Sequence, residues 1–135
     1  MGITEQNIKD YIEKAGQQAG EHTSVWAVRM PSVINMALFG PASVLFDMRY
    51  NILNITDDGM MLIGVDAAGR LTPMHMWFSK ETIQRIKIKK GMISYDIEMK
   101  TAGGSLKYRI NKIMIGSSFH KANVDAALRL LEQFQ

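Results

Sequence analysis

The first part of the chain has the hydrophobic period of a helix. Apolar residues recur every three to four positions over residues 4–19, which predicts an amphipathic helix with one apolar stripe. The stripe consists of Ile8, Tyr11, Ile12, Ala15 and Ala19. Thr4 is the predicted N-cap, and Gly16 and Gly20 are the candidate ends, because glycine tolerates the left-handed backbone that closes a helix.

The next stretch, residues 22–48, shows no sustained period. Ser24–Val28 is a candidate strand, and the apolar run Ile34–Phe39, which lies between two prolines, is a candidate short helix. The uncharged run Met30–Phe46 is shorter than the roughly 20 residues that a membrane-spanning helix needs. Because it also contains prolines and glycine, we interpret it as connecting structure that is buried or interfacial.

From Tyr50 onward the apolar and polar residues alternate with the period of two that is typical of strands. The predicted strands are Asn51–Thr56, Met60–Asp66, Leu71–Phe78, Ile83–Lys89, Ile93–Lys100 and Ser105–Ile110. Glycine-containing turns separate most of them, which indicates antiparallel hairpins. Pro73 has no amide hydrogen to donate, so the strand that contains it is predicted to lie at a sheet edge or at a bulge.

The order of these elements predicts an α+β fold that is mainly β. About six to seven strands follow one another in meander order, and an amphipathic helix over Phe119–Phe134 closes the chain, with Ser117 or Ser118 as its cap. Such an order favours a curved antiparallel sheet, or partly open barrel, that the terminal helix plugs. We divide the chain into an N-terminal helix, residues 1–22, and a sheet-containing part, residues 23–135, which together form a single structural domain.

A motif of spaced isoleucines, a threonine and glycines runs through the predicted meander. Its positions are Ile83, Ile86, Ile88, Gly91, Ile97, Met99, Thr101, Gly103 and Gly104. With this motif and the closing helix, residues 51–135 resemble the bacterial pleckstrin-homology-like (PH-like) domains, which implies that fold and a binding or scaffolding role. Eukaryotic members of that family bind phosphate groups with Lys and Arg around the first hairpin. This chain has Asp57 and Asp58 there, so no lipid-binding residue is carried over.

Basic residues are concentrated in the second half of the chain. The whole sequence has a net charge of +3, whereas ten Lys or Arg between Lys80 and Lys121 face only Glu81, Asp96 and Glu98, a local net charge of +7. This asymmetry predicts either an anionic partner, such as a membrane surface, or a solvated sheet face whose charges pair with each other. The lysines without an obvious partner, which form a candidate anion-facing patch, are Lys87, Lys89, Lys90, Lys100 and Lys112.

Strand phase predicts how the meander is paired. A two-residue turn at Lys90 and Gly91 places Arg85 opposite Asp96, and the next hairpin places Asp96 opposite Arg109. The other predicted pairs are Ile86 with Tyr95, Ile88 with Ile93 and Glu98 with Lys107. The residues predicted to point inward are Ile86, Ile88, Ile93, Tyr95, Ile97, Tyr108 and Ile110. Because both tyrosines are among them, the outer face lacks the aromatic platform that single-stranded nucleic acid needs, which argues against a nucleic-acid partner.

Two of the predicted strands are apolar on both faces. One face carries Met61, Ile63, Val65, Leu71 and Trp77. The other carries Met60, Leu62, Met74, Met76 and Phe78, a candidate apolar interface. The core covers one face, and the second needs a cover from the N-terminal helix, the Met30–Phe46 segment or another subunit. We expect residues 4–19 to pack on this second face, in the same chain or a partner, with Tyr11 and Ile12 close to fully buried.

Motifs for catalysis, metals and cofactors are missing from the sequence. The chain has no cysteine, which excludes thiol catalysis, disulfides and cysteine-based zinc sites. Met74-His75-Met76 offers ligands that suit Cu(I), but neighbouring residues of a strand face opposite sides. The sequence contains no nucleophile elbow, phosphate-binding loop or zinc-protease motif. We therefore predict no catalytic residue, no cofactor and no metal.

The sequence thus predicts a non-catalytic, PH-like binding or scaffolding module. We expect a protein partner or a homo-oligomer, with an anionic membrane surface as the other candidate partner, and a cytoplasmic location that is peripheral to a membrane in the second case. The alternative function is a small barrel that binds an apolar ligand between the sheet and the Met-rich segment. An enclosed apolar cavity favours the ligand carrier, whereas an exposed apolar patch favours the binding module.

Overall fold

A computed structural model describes residues 2–34 and 38–135 of the chain. In chain order the elements are α1 (Glu5–Lys14), β1 (Ser24–Arg29), β2 (Val33–Ile34), a 3₁₀ helix (Gly40–Asp47), β3 (Tyr50–Thr56), β4 (Gly59–Val65), β5 (Leu71–Ser79), β6 (Arg85–Lys90), β7 (Ser94–Thr101), β8 (Gly104–Asn111) and α2 (His120–Glu132). This is the mainly β, α+β architecture that the sequence predicts. The predicted short helix at Ile34–Phe39 is not confirmed: Ile34 belongs to β2, and residues 35–37 lie outside the described part.

The strands form one antiparallel sheet in the order β5-β4-β3-β1-β8-β7-β6, and the short β2 pairs with β8. Because β5 and β6 lie at the two ends of this order, the sheet is open. Pro73 lies in β5, so the prediction of an edge strand is confirmed. The pairing of β4 with β5 also shifts its register between Ile63 and Val65, opposite the part of β5 that contains Pro73. The ladder is irregular at this point, so the missing amide hydrogen of Pro73 removes little from it.

The main core fills the side of the sheet on which α2 lies. Helix α2 packs against β1, β3 and β6, and its apolar stripe consists of Val124, Ala127, Leu128 and Leu131. Each of the seven long strands contributes side chains to the same cluster, as do Leu45 and Phe46 of the 3₁₀ helix. The C-terminus joins the sheet as well, because the Ile86 amide donates to the Phe134 carbonyl at 3.0 Å. The C-terminal helix therefore packs on one side of the open antiparallel sheet, as predicted.

Helix α1 covers the opposite side of β3, β4 and β5. Its residues Ile8 and Ile12 are 1% exposed and pack in a second cluster with Ile52, Met61 and Ile63. Tyr11 is half-buried beside them, and its hydroxyl donates to the Thr72 carbonyl at 2.7 Å. The prediction that the N-terminal helix packs on a sheet face is confirmed, and that face belongs to the same chain. The expected near-complete burial is confirmed for Ile12 but wrong for Tyr11, whose hydroxyl reaches the edge strand β5.

The candidate apolar interface lies on the other side of the sheet from the one predicted. The two faces are sorted as expected, but Met60, Leu62 and Phe78 are buried in the main core next to α2, with Met74 and Met76 partly buried against them. The face that needed an extra cover is the one with Met61 and its neighbours, and α1 provides it. Both faces are equally apolar in the sequence. The alternation therefore assigns each residue to one of two faces, but it does not show on which face the C-terminal helix packs.

The ends of α1 follow the predicted capping residues, but the helix is shorter than residues 4–19. Thr4 caps it with a reciprocal capping box, in which the Asn7 amide donates to Thr4 Oγ and the Thr4 amide donates to Asn7 Oδ1, both at 3.1 Å. The helix ends before Gly16, whose φ of 84° is in the left-handed region. The chain then docks on β3, because the Gly20 amide donates to Asn54 Oδ1 at 2.7 Å.

The register of β6 and β7 differs from the predicted one. Arg85 pairs with Lys100 rather than with Asp96, and Ile88 pairs with Ile97 rather than with Ile93. The Gly91 amide donates to the Ser94 carbonyl at 2.9 Å, so the connection consists of Met92 and Ile93. Because the register shift is an even number of residues, inward and outward phases are preserved except at Ile93, which lies outside the strands and is 79% exposed. The predicted pairing of β7 with β8 is confirmed.

Candidate functional site

The outer face of β6, β7 and β8 is predominantly basic. Its cations are Arg85, Lys87, Lys89, Lys100, Lys107 and Arg109, and its carboxylates are Asp96 and Glu98. We call these eight side chains the basic face. The row formed by Arg85, Lys100 and Ser105 contains no carboxylate, so repulsion between its cations is not offset by a direct cross-strand partner.

Part of this charge is paired across strands. Asp96 lies between Lys89 and Arg109, and Arg109 donates two hydrogen bonds to its carboxylate, at 2.8 and 3.3 Å. These bonds lower the pKa of Asp96 and raise that of Arg109. Glu98 lies between Lys87 and Lys107, with 3.9 Å from Lys107 Nζ to Glu98 Oε2. Exposed pairs of this kind contribute about 0.2–1 kcal/mol each, so the face remains a solvated surface with excess positive charge.

The five lysines of the predicted patch do not share one surface. Lys87, Lys89 and Lys100 lie on the basic face, whereas Lys90 and Lys112 have the opposite phase at the ends of β6 and β8. Lys90 Nζ is 3.9 Å from Glu132 Oε1 of α2, and Lys112 Nζ is 5.1 Å from the ring centroid of Tyr95. Successive residues of a strand point to opposite faces of the sheet, and this alternation divides the five lysines between the two faces.

Four large apolar side chains are exposed at the end of the sheet where β6 and β8 end and β7 begins. Met92 and Ile93 connect β6 to β7 and are 93% and 79% exposed, and Ile113 and Ile115 follow β8 and are 63% and 96% exposed. The two loops are neighbours, because the Lys112 amide donates to the Ile93 carbonyl at 2.9 Å. We call these four side chains the apolar tip. The sequence-based interpretation missed this surface, since it placed Ile93 in the core.

A buried polar network holds the N-terminal segment to the sheet. Asn54 Nδ2 donates to Ser24 Oγ at 2.8 Å and to the Gly20 carbonyl at 3.0 Å. Asn123 of α2 donates to the Ser24 carbonyl at 3.0 Å and to Glu5 Oε1 at 2.5 Å. These bonds satisfy polar groups that would be costly to bury alone, and they join both helices to β1 and β3. We assign them a structural role.

His120 is the fully buried histidine of the fold, with 1% of its surface exposed. Its Nδ1 accepts from the Trp26 amide at 3.0 Å, so the proton lies on Nε2, which donates to the Asn111 carbonyl at 2.5 Å. The neutral ring therefore bridges β1 and β8 where the two strands diverge. Burial lowers the pKa of His120 below its usual value of 6.5, although the bond to Asn111 acts in the opposite direction.

Tyr108 reaches across the main core to β3, and its hydroxyl donates to Asn51 Oδ1 at 2.6 Å. Burial raises the pKa of Tyr108. We expect Tyr108→Phe to lower the free energy of unfolding by about 1–3 kcal/mol, because it leaves the buried Asn51 oxygen without its donor. Denaturant unfolding measures this loss. Tyr95→Phe on the adjacent strand is the control, because Tyr95 is partly exposed; an equal loss in both variants would contradict the role of the Tyr108–Asn51 bond.

The three residues of the Met74-His75-Met76 motif lie on opposite faces, as predicted. His75 Nδ1 is 3.1 Å from the Tyr11 hydroxyl on the α1 side, and both methionines pack against the main core. Across the described ranges 2–34 and 38–135, no group of three His, Asp or Glu side chains gathers as a metal site would.

An open groove of about 900 Å³ lies beside the edge strand β5. Its walls include Phe39, Met76 and Phe78, and Phe39 occupies the space beside Gly103 so closely that a side chain at position 103 would collide with the ring. This groove is the place for an apolar ligand in the alternative function, which stays a prediction.

Comparisons with other proteins add no relative: no protein-family model, no curated protein and no solved structure matches this chain significantly. Among the helices that the structure describes, neither α1 nor α2 is long and apolar enough to cross a membrane.

Proposed function

We propose that this chain is a non-catalytic module of PH-like architecture that binds anionic membrane surfaces peripherally. The observation that carries the proposal is the basic face, on which six cations and only two carboxylates lie across three adjacent strands, with Arg85, Lys87, Lys89 and Arg109 exposed. Anionic lipids attract such a surface, with up to about 1 kcal/mol for each nearby cation. The curved sheet with its closing C-terminal helix is the architecture that the resemblance to PH-like domains implies.

The arrangement of charge supports binding rather than catalysis. The apolar side chains of β6, β7 and β8 fill the core, and the carboxylates Asp96 and Glu98 face outward between cations. A carboxylate that is held in its charged form by an arginine, as Asp96 is by Arg109, is poorly suited to donate or accept a proton near neutral pH. The same surface is suited to attract phosphate and carboxylate headgroups, because Lys87 and Lys89 are exposed and Lys100 and Lys107 are partly exposed.

We expect the chain to float with vesicles that contain phosphatidylserine at low salt, and to bind little to neutral vesicles. Binding should fall when the salt rises from roughly 0.1 M to 1 M, since the Debye length shrinks from about 10 Å to 3 Å. Lys87→Ala combined with Lys89→Ala should weaken binding by roughly tenfold or more. Liposome flotation with a lipid titration measures these effects.

The matched control is Lys9→Ala combined with Lys14→Ala, which removes the same charge from exposed positions of α1. Equal weakening by both pairs would show that net charge, and not the basic face, governs the interaction. If the wild-type chain does not bind phosphatidylserine-rich vesicles even at low salt, the membrane proposal is wrong and a protein partner becomes the remaining interpretation of the module.

A further inference from the structure

The residues of the apolar tip are not those that its loops require. Met92 and Ile93 form a two-residue connection between antiparallel strands, closed by the bond from the Gly91 amide to the Ser94 carbonyl. Such connections favour Gly, Asn and Asp, which adopt turn conformations easily and expose little apolar surface to water. Two large apolar residues contribute nothing to the turn, and their exposure of 93% and 79% shows that they contribute little to the core.

The second loop places further apolar residues at the same end of the sheet. Ile113 and Ile115, which are 63% and 96% exposed, come one and three residues after Lys112, whose amide donates to the Ile93 carbonyl. In the part of the chain that the structure describes, the other exposed large apolar residues are Leu38 and Val44, which lie far from this sheet end in sequence. The four side chains of the tip thus belong to two loops that a backbone hydrogen bond joins, whereas a random scatter would place exposed hydrophobics on unconnected segments.

Lysines surround the tip. Lys89 and Lys90 end β6 just before Met92, and Lys112 lies between the two loops. Their charges are only partly offset: Lys89 lies opposite Asp96, which Arg109 already binds, and Lys90 is at the long distance of 3.9 Å from Glu132. Lys112 extends over the half-buried ring of Tyr95. The tip thus combines an aliphatic end with a cationic rim.

This composition distinguishes a bilayer from a protein as the partner. Protein interfaces are depleted of Lys relative to the rest of the surface, and their centres are enriched in Trp, Tyr and Arg, whereas the centre of this tip is aliphatic and lysines flank it. At a bilayer, aliphatic side chains enter the boundary of the acyl chains while lysines extend toward anionic headgroups. We infer that the apolar tip inserts shallowly into an anionic lipid bilayer and that Lys89, Lys90 and Lys112 bind its headgroups.

The inference rests on the proposed function and names the part of the surface that enters the membrane. The basic face alone would adsorb to headgroups without entering the acyl region. Its contribution to binding would be purely electrostatic, so high salt would remove it. Insertion of the tip adds apolar burial, which salt does not screen. A residual component of binding at roughly 1 M salt is therefore expected, and it should depend on the tip residues.

A single fluorescent label tests insertion directly, because the chain contains no native cysteine. We label Ile115→Cys with an environment-sensitive nitrobenzoxadiazole dye and add vesicles of phosphatidylcholine with or without phosphatidylserine. The emission is expected to increase and shift to the blue with phosphatidylserine vesicles. The control is the same dye at Leu38→Cys, which is 64% exposed outside the tip and should keep its aqueous emission.

Removal of the apolar groups tests their contribution. Met92→Ser combined with Ile93→Ser is expected to weaken vesicle binding by at least about tenfold. Leu38→Ser combined with Val44→Ser is the matched control, since it also replaces two exposed apolar residues, and it should bind like the wild type. Because all four side chains are exposed, both variants should keep the wild-type thermal unfolding curve, which circular dichroism verifies.

The outcomes separate this inference from the proposed function. If the label at position 115 stays aqueous and the serine variant binds normally while Lys87→Ala with Lys89→Ala binds weakly, the tip does not insert and the proposed function stands. If wild-type chain does not bind the vesicles at all, both are wrong. If the serine variant instead changes the elution volume in size-exclusion chromatography, the tip contacts a second copy of the chain, and the bilayer inference is overturned.

Discussion

Replacing both Ile8 and Ile12 with alanine is expected to remove most of the free energy of unfolding. Each side chain is 1% exposed between α1 and the sheet, and an Ile→Ala change in such a position costs about 2–5 kcal/mol. Two such losses approach the whole stability of a small domain, which is about 5–15 kcal/mol. Urea unfolding, followed by tryptophan fluorescence, measures the effect, because Trp26 and Trp77 pack against the same cluster.

The matched control for this variant is Lys9→Ala combined with Glu13→Ala, on the exposed face of α1. It keeps the helix propensity high and removes no buried contact, so its unfolding midpoint should stay close to that of the wild type. A helix of ten residues is marginal on its own, so α1 owes its position to this packing. A double isoleucine variant with an unchanged midpoint would contradict the assignment of α1 as the cover of the second sheet face.

The sequence predicts the local structure of this chain well because local structure depends on periods. Period two identifies all the strands after Tyr50, and the helical period identifies the stripe that α2 buries. It also separates Met60 from Met61 correctly onto opposite faces. Which face is the main core depends on where α2 and α1 lie, and neither helix carries a local signal for this. The candidate apolar interface was therefore placed on the wrong side.

The register of β6 with β7 is harder to predict because glycine marks a hairpin end without fixing its position. Gly91 suggests a turn that includes it, whereas in the structure it pairs across the strands with Ser94 and the turn lies two residues later. Met92 and Ile93 resemble strand residues by composition, and a pattern of alternation assigns them to the core. A sequence pattern does not distinguish hydrophobic residues in a turn from hydrophobic residues in a strand. The apolar tip was missed for this reason.

The polar residues of the interior could not be predicted, because their partners are remote in sequence. His120 bonds to Trp26 and Asn111, and Asn54 bonds to Gly20 and Ser24. In the sequence, His120 is one of three histidines without regular spacing, and Asn54 is a polar residue in an apolar strand. Only the pairing of β1 with β3 and the arrival of α2 bring these partners together.

Replacing His120 with leucine is expected to lower the free energy of unfolding by about 2–6 kcal/mol. The change keeps a similar apolar volume but leaves the Trp26 amide and the Asn111 carbonyl without their partner, and each unsatisfied buried group costs about 1–3 kcal/mol. The control is His22→Leu, because the His22 side chain is 78% exposed. Denaturant unfolding at neutral pH compares the two, and equal midpoints would show that the bridge between β1 and β8 contributes nothing.

The same bridge makes stability depend on pH, in a direction that its geometry determines. A second proton on His120 would occupy Nδ1 and remove the acceptor of the Trp26 amide, so the folded chain binds this proton less readily than the unfolded chain does. Burial lowers the pKa of His120 in the folded state below 6.5, against the opposing effect of its bond to Asn111. Stability therefore falls as the pH decreases from about 6.5 toward that lower pKa, with no further loss from this group below it. Asp66 and Asp96, whose pKa values are lowered from 3.8, reduce the stability only at more acidic pH.

We expect the wild type to lose stability as the pH falls from about 6.5 to the lower pKa of His120, and we expect His120→Gln, which does not titrate, to lose less. Thermal unfolding at a series of pH values measures both slopes, and parallel slopes would show that His120 is already protonated in the folded chain or makes no difference to it.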